Sequence, residues 1–567
     1  MKKSLLFMSV LASLFMTGCS QEEITPNSEN SGEANTSYIS VNLMSSDITG
    51  TRALAGYEDG SSDENKVNKV RFYFFTANGA AANVKPNGTT YVNYYDWKPE
   101  NGDQSDDAND SDDIESKLKA TIVINTKNGD KLPQKIAAIL NPTDDLGAVS
   151  KSLSELQAIT KDYVKNNLTT SGKFVMFNSV YGNENKTAEI CAVPIEAKNL
   201  QKTPEDAKNN PVIIYVERSV AKVKVALGTE VSAAGNDKLA LKDKNDELLK
   251  IQGEQVYLKL GNWSLTADTD KGRLVKEIDL TWTTPWWNGN HRSFWAINAP
   301  DAKNQYHKYD EISTGIGTAL YTNENALDYT NNHNQTTELK RTKVILRGTL
   351  CKADGSPFTI VRHAGSHFAD TYSETPAKNL PELKKNIITQ MITNGHNYYS
   401  GSPTNRTLIS PDDLKIVFAT QEEKEDSQNN CYVYAQLTEA AKEKTWYDSE
   451  AKDAAPITDA ENTINETLKN KDIVNWALVW KAGMTYYYYE IIHHKTDTQN
   501  YDTATKGVVR NHIYDTNVTK IAGLGTPVYD PEKIIYPEKP DPNDHYIAAE
   551  INILSWRIVK NDYELKW

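Results

Sequence analysis

His363 and His367 stand four residues apart, the spacing at which two imidazoles on one helical face can share a zinc ion. No glutamate follows His363, and the intervening Gly365 weakens a helix, so the metal-hydrolase motif is absent. His493 and His494 are adjacent in a strand-like run, where successive side chains point to opposite faces, and they do not share an ion easily. The acidic run 106–113, with Asp110 and Asp112, lacks the glycine that turns a calcium loop at its sixth position, and it reads as a solvated loop. Trp282, Trp286 and Trp287 could form a sugar-stacking platform, but tryptophans that pack a core or a loop are the commoner case. Gly315 and Gly317 lack the third glycine of a dinucleotide fingerprint, and there is neither a phosphate loop nor a Gly-x-Ser-x-Gly elbow. The residues therefore give no positive sign of catalysis, of a metal or of a cofactor.

One cysteine does carry chemistry. Lys2 and Lys3 precede an apolar stretch, 5–16, that is too short to span a bilayer, and the stretch ends in Phe15-Met16-Thr17-Gly18-Cys19. That ending resembles a bacterial lipobox, in which a peptidase cuts before a cysteine that is then acylated, so residues 1–18 are expected to be a lipoprotein signal and Cys19 the lipidated first residue. Residues 20–36 are polar, with little to pack, and read as a flexible tether. The other cysteines, Cys191, Cys351 and Cys431, are odd in number with no C-x-x-C pair, which suits buried thiols rather than a disulfide framework.

The rest of the chain must supply the elements. With 567 residues it can bury more than one core. A hydrophobic fraction of 38%, a charged fraction of 24% and a mean hydropathy of −0.61 describe a water-facing body. The formal net charge of −14 repels phosphate backbones, so nucleic acid is not an expected partner. Tyrosine outnumbers phenylalanine 30 to 11, which suits half-buried sheets. Strand-like runs are expected at 38–44, 70–76, 120–125, 135–140, 175–178, 212–227, 255–260, 344–350, 416–420, 431–436 and 484–493, and helices at 152–164, 380–393 and 459–470. The sum is an all-β fold with helical insertions, organised as β-sandwiches. A domain boundary is expected after Leu227-Gly228, where a long strand gives way to a polar segment.

Two strands at opposite ends of the sequence have the same pattern. Ile39-Ser40-Val41-Asn42-Leu43-Met44 and Ala549-Glu550-Ile551-Asn552-Ile553-Leu554 both alternate an apolar with a polar row and place Asn at the same step. Either the two fit one groove, or they are ordinary edge strands with a chance likeness. Ahead of the second copy, Pro537, Pro540 and Pro542 make a stiff spacer able to carry a strand away from its own body.

Taken together, the lipobox, the run around Arg218-Ser219-Val220-Ala221-Lys222, the later Arg510-Asn511-His512-Ile513-Tyr514 and the closing Ile551-x-Ile553-Leu554-x-Trp556 resemble the shaft subunits of Bacteroidales fimbriae, the short-fimbria fimbrilins in particular. The resemblance runs from end to end, although the insertions around 103–113 and 372–450 align poorly with it. It implies a type V pilin of two transthyretin-like β-sandwich domains: a lipid-anchored propeptide 19–52 with a removable first strand, an acceptor domain 53–228, and a second domain 229–567 that ends in a donor strand 547–567. It further implies export to the outer membrane as a lipoprotein, cleavage between Arg52 and Ala53 by a trypsin-like arginine-specific protease, and replacement of the Ile39, Val41 and Leu43 strand by a neighbour's Ile551, Ile553, Leu554, Trp556 and Ile558. The implied partners are further copies of the chain with anchor and tip subunits, and the implied role is adhesion at the cell surface without enzymatic activity. A tip or accessory adhesin, and a SusD-like outer-membrane glycan-binding lipoprotein, are the alternatives; the first needs no donor strand and the second is helix-rich.

Overall fold

The computed structural model describes residues 33–46, 60–86, 90–100, 104–106, 114–127, 130–182, 187–232, 238–243, 245–280, 296–326, 340–419, 431–494, 505–537, 546–553 and 557–566. They fall into two compact units. Unit 1 holds Tyr57–Val220 and Lys271–Ala299 with the described part of Met1–Arg52, and unit 2 holds Ala221–Asp270 and Pro300–Trp567. The chain thus passes between units at Val220–Ala221, before the Leu227-Gly228 step expected from the sequence, and Lys271–Ala299 returns to unit 1.

Unit 1 is built on β1 (Glu33–Ser46), β2 (Val70–Phe75), β3 (Ile114–Lys127), β4 (Lys135–Leu140), β5 (Met176–Asn178) and β6 (Val212–Arg218). They belong to one sheet of ten strands, in the order Val84–Pro86, β3, β1, β6, β5, β4, β2 and Tyr94–Trp97. The sheet cannot be flat. Leu118 of β3 and Leu140 of β4, four strand steps apart, line the same cavity of about 10 Å³. Neighbouring strands lie about 4.8 Å apart, so a flat sheet would separate these two by about 19 Å. The sheet therefore curls over a single apolar interior, and all six residues of β2 are buried. Lys271–Ala299 is tied to this unit by Lys276, whose ammonium lies 3.0 Å from Glu217 with both side chains buried.

Unit 2 is a sandwich. One layer orders Leu320–Thr322, β7 (Ala221–Leu227), β11 (His512–Ala522), β13 (Arg557–Lys566) and β12 (Tyr546–Ile553). The other orders Leu239–Ala240, β8 (Tyr257–Thr266), β9 (Lys343–Cys351), β10 (Met484–Glu490) and Thr526–Pro527. Val223, Val225, Tyr514 and Val518 of the first layer share one core with Trp263, Leu346, Tyr487 and Tyr489 of the second, the face-to-face packing expected of two twisted sheets.

Between β9 and β10 the chain builds a further five-stranded sheet that carries α1 (Pro381–Thr393) and α2 (Ala460–Lys469). Leu383, Ile387 and Met391 recur every fourth residue, so one stripe of α1 faces the core shared with Val433 and Val479. Pro381 opens the helix, the Asp370 carboxylate accepts the Leu383 N–H at 2.9 Å, and Gly395 at φ 85° follows its end.

The all-β fold with helical insertions is as the sequence predicts. One helix is not. Of 152–164 only Leu153–Gln157 is helical, capped by Ser152 and Glu155. Thr160–Lys161 instead pairs with Gly272–Arg273, a tertiary ladder that outweighs local periodicity. The long strand expected over 212–227 is divided at Ser219–Val220 into β6 and β7.

Candidate functional site

Alternation puts Ile39, Val41 and Leu43 on one face of β1, and all three are at most 1% exposed. β1 is not an edge strand. It runs antiparallel to β3, with Ile39 opposite Ile122, Val41 opposite Ala120 and Leu43 opposite Leu118, and parallel to β6, with Val41 beside Val212 and Leu43 beside Ile214. The facing residues on both walls are buried as well, so the three side chains complete a continuous apolar row. From Val41 to Ser45 the strand has a neighbour on each side. Nearer its start, Tyr38 exchanges backbone hydrogen bonds with Gln201 at 2.7 and 2.9 Å. Taking β1 away would leave β3 and β6 with facing unpaired edges and an apolar floor, a vacancy one strand wide.

The end of this slot is held by residues that carry no motif. Arg218, 1% exposed, donates to the Glu64 carbonyl and to Asn65 Oδ1. It thereby fixes the short helix Ser62–Asn65, which Ser61 and Glu64 cap reciprocally. Leu43, Asn65, Val67 and Val216 line the cavity of about 10 Å³ at that end, room for about one water molecule. The sequence identified the strands 120–125 and 212–227 but not that they flank 38–44, because alternation specifies a face and not a neighbour.

At the other terminus, the segment expected as a single strand over 547–567 is a hairpin of two. β12 and β13 pair antiparallel from Tyr546 opposite Lys566 to Ile553 opposite Val559, and β13 lies parallel to β11 from His512–Arg557 to Ala522–Lys566. Ile551 and Ile553 fall on β12 and Ile558 on β13. Leu554 and Trp556 lie outside the described residues, as do Cys19, Arg52 and Ala53, the signal 1–18, residues 107–113 of the acidic run and the tryptophans of 281–295.

The histidines have structural surroundings. His363 Nε2 is 3.0 Å from the Asn475 carbonyl, and burial pushes its pKa down; the His367 ring lies against Trp480. His493 shares a 2.9 Å hydrogen bond with the Tyr514 hydroxyl. Among the described residues, no three His, Cys, Asp or Glu side chains are grouped so as to hold a metal ion. In unit 1, burial pushes the Glu189 carboxyl up to about 7. The Ile278 N–H, 2.6 Å from it, acts the other way, Glu277 adds to the rise and Arg273 opposes it.

Residues 479–562, which include β10, β11, β12 and most of β13, match the family model for the major fimbrial subunit protein type IV, fimbrillin, C-terminal. This segment is fimbrillin-like. The match ties this C-terminal segment to the fimbrial subunits that the sequence motifs resemble. No curated protein matches the chain. Among solved structures, the fimbrilin FimA of Porphyromonas gingivalis W83 is 12% identical over 93% of this chain and 97% of its own, with a TM-score of 0.33. A fimbrial assembly protein of Parabacteroides distasonis is 11% identical over 57% and 91%, with a TM-score of 0.27. The tip fimbrial protein Mfa3 of Porphyromonas gingivalis is 13% identical over 60% and 83%, also at 0.27.

Proposed function

We propose that the chain is the polymerising shaft subunit of a surface fimbria, a non-enzymatic protein assembled by strand replacement. It would be exported as a lipoprotein acylated at Cys19 and cut between Arg52 and Ala53 by an arginine-specific protease; the removed piece would carry β1 and the lipid away together. The C-terminal strand of a second copy, with Ile551, Ile553 and Ile558, would then enter between β3 and β6, and anchor and tip subunits would close the two ends of the filament.

The observation that carries this reading is the burial of β1 as an inner strand with walls on both sides. Burying Ile39, Val41 and Leu43 contributes about 1.5 to 3 kcal/mol each, and each ladder hydrogen bond about 0.5 to 1.5, so an empty slot is strongly unfavourable. While covalently attached, β1 has an effective concentration of order millimolar, and a strand from another molecule competes poorly. The cut removes that advantage, and β-augmentation refills the slot from outside. Because donor and acceptor surfaces differ, the contact is head-to-tail and does not close. Residues 1–52 carry a net charge of −2, so the processed subunit keeps about −12 of the −14.

Electron microscopy of the purified protein before and after limited trypsin digestion tests this, with Arg52→Ala alongside. Fibres are expected only from the digested wild type, and ladders at the wild-type level from Arg52→Ala would count against the reading.

A further inference from the structure

If a C-terminal strand leaves its own body, some residue must be the last to stay. We infer that Ile535 to Pro537 is the fixed root of the donor arm, held by Tyr306–Lys308, and that only the chain beyond Pro537 moves; this rests on the strand-replacement reading above. The segment that leads to the root is fastened stepwise. Thr526 and Pro527 pair with Tyr486 and Thr485 of β10, and the Val528 N–H donates to the Met484 carbonyl at 3.1 Å. An exposed turn follows, in which Asp530 accepts the Glu532 N–H.

Then the chain is gripped again. Ile534 and Ile535 form a two-residue antiparallel ladder with Lys308 and His307. Ile534 points out at 40% exposure, whereas Ile535 is 7% exposed and enters a satellite core with Tyr309, Ile312, Ile345, Tyr488 and Val528. That core is itself rigidly placed, since the Tyr309 hydroxyl donates to the Gly348 carbonyl of β9 at 2.6 Å. The Tyr536 ring lies 4.7 Å from Tyr306, the Lys308 ammonium lies 3.1 Å from Glu532, and Pro537 is buried. Eight residues, 538–545, separate this grip from β12, and with Pro540 and Pro542 among them they span about 25 Å when extended. The root therefore fixes both where an arm starts and how far it reaches, and Ile535 and Tyr306 are positioning residues for assembly.

Amide hydrogen exchange of the full chain, before and after trypsin-triggered assembly, reads this directly. Residues 533–537 are expected to keep the same protection in monomer and fibre while 546–566 change partners; loss of protection at 533–537 on assembly would overturn the inference. Two insertions separate root from arm. Six Gly/Ser residues after Pro537 lengthen the arm from 8 to about 14 residues and should loosen the joint between successive subunits, read as a loss of fibre stiffness in electron micrographs. The same insert after Asp530, upstream of the grip, should leave the stiffness unchanged. Equal loosening by both would place the root elsewhere while the strand-replacement reading stood, and absence of fibres from the digested wild type would remove both.

Discussion

Leu43→Ala gives the most discriminating test, because the slot reading assigns the side chain to one state of the protein and not to the other. In the uncut chain Leu43 is 1% exposed and borders a cavity of about 10 Å³, so truncation enlarges an existing void rather than opening a new one. Buried Leu→Ala changes cost about 2 to 5 kcal/mol, and a site already underfilled on one side has little scope to collapse; about 3 kcal/mol is the expected loss. That corresponds to about a hundredfold weaker hold of β1 after the cut. The measurement is hydrogen exchange at β3 and β6 together with the release, after trypsin, of the peptide that ends at Arg52 and carries β1. The uncut variant should lose protection in unit 1 and the cut variant should release the peptide faster. Fibres assembled from it should resist denaturant as wild-type fibres do, because β1 is no longer present. Leu118→Ala, on the wall opposite Leu43, should weaken precursor and fibre alike. If Leu43→Ala weakened the fibre as much as Leu118→Ala, β1 would still be in the slot and the reasoning would fail.

Deleting residues 547–567 should abolish fibres while circular dichroism shows the body still folded; undiminished fibres would contradict the donor assignment. Glu189 has its pKa raised to about 7 by burial, so the native state holds that proton more tightly than the unfolded chain, and its contribution to stability is lost as pH rises from about 4.5 through about 7. Glu189→Gln should flatten that dependence in a melt of unit 1 followed across the window. For Glu490, burial alone would raise the pKa, but Lys506, Lys343 and Arg341 outweigh it and hold the carboxyl at about 2, so its contribution is present above about 4.5 and is lost as pH falls towards 2. Lys506→Met breaks a 2.7 Å buried pair and should cost about 3 to 5 kcal/mol in unit 2, with acid unfolding beginning at higher pH.

Where a segment has one clear period, the sequence is a good guide. The β4 strand Lys135–Leu140 and the helix Pro381–Thr393 fall within a residue of expectation, because each is bounded by its own turn or cap chemistry. The β1 strand is recognisable in the same way, from Ile39, Val41 and Leu43. Its neighbours were not, since the pairing with β3 and β6 joins residues far apart in the chain and depends on the curl of the whole sheet. The hairpin of β12 and β13 escaped for a related reason. A run that alternates through 549–559 reads as one strand, and nothing in the alternation marks a reversal between Ile553 and Arg557. Arg218 and the Ser62–Asn65 helix that it pins are legible only in space.

The two walls of the slot impose opposite demands. A strand lying antiparallel to β3 and parallel to β6 meets perpendicular bonds on one side and slanted bonds on the other, so a newcomer threaded backwards would mismatch both borders at once. Under the proposed strand replacement, successive copies would then all face the same way. A thread of such copies would be vectorial, with a growing tip and a base that are chemically unlike, and a cell could extend it at one extremity while holding it by the other.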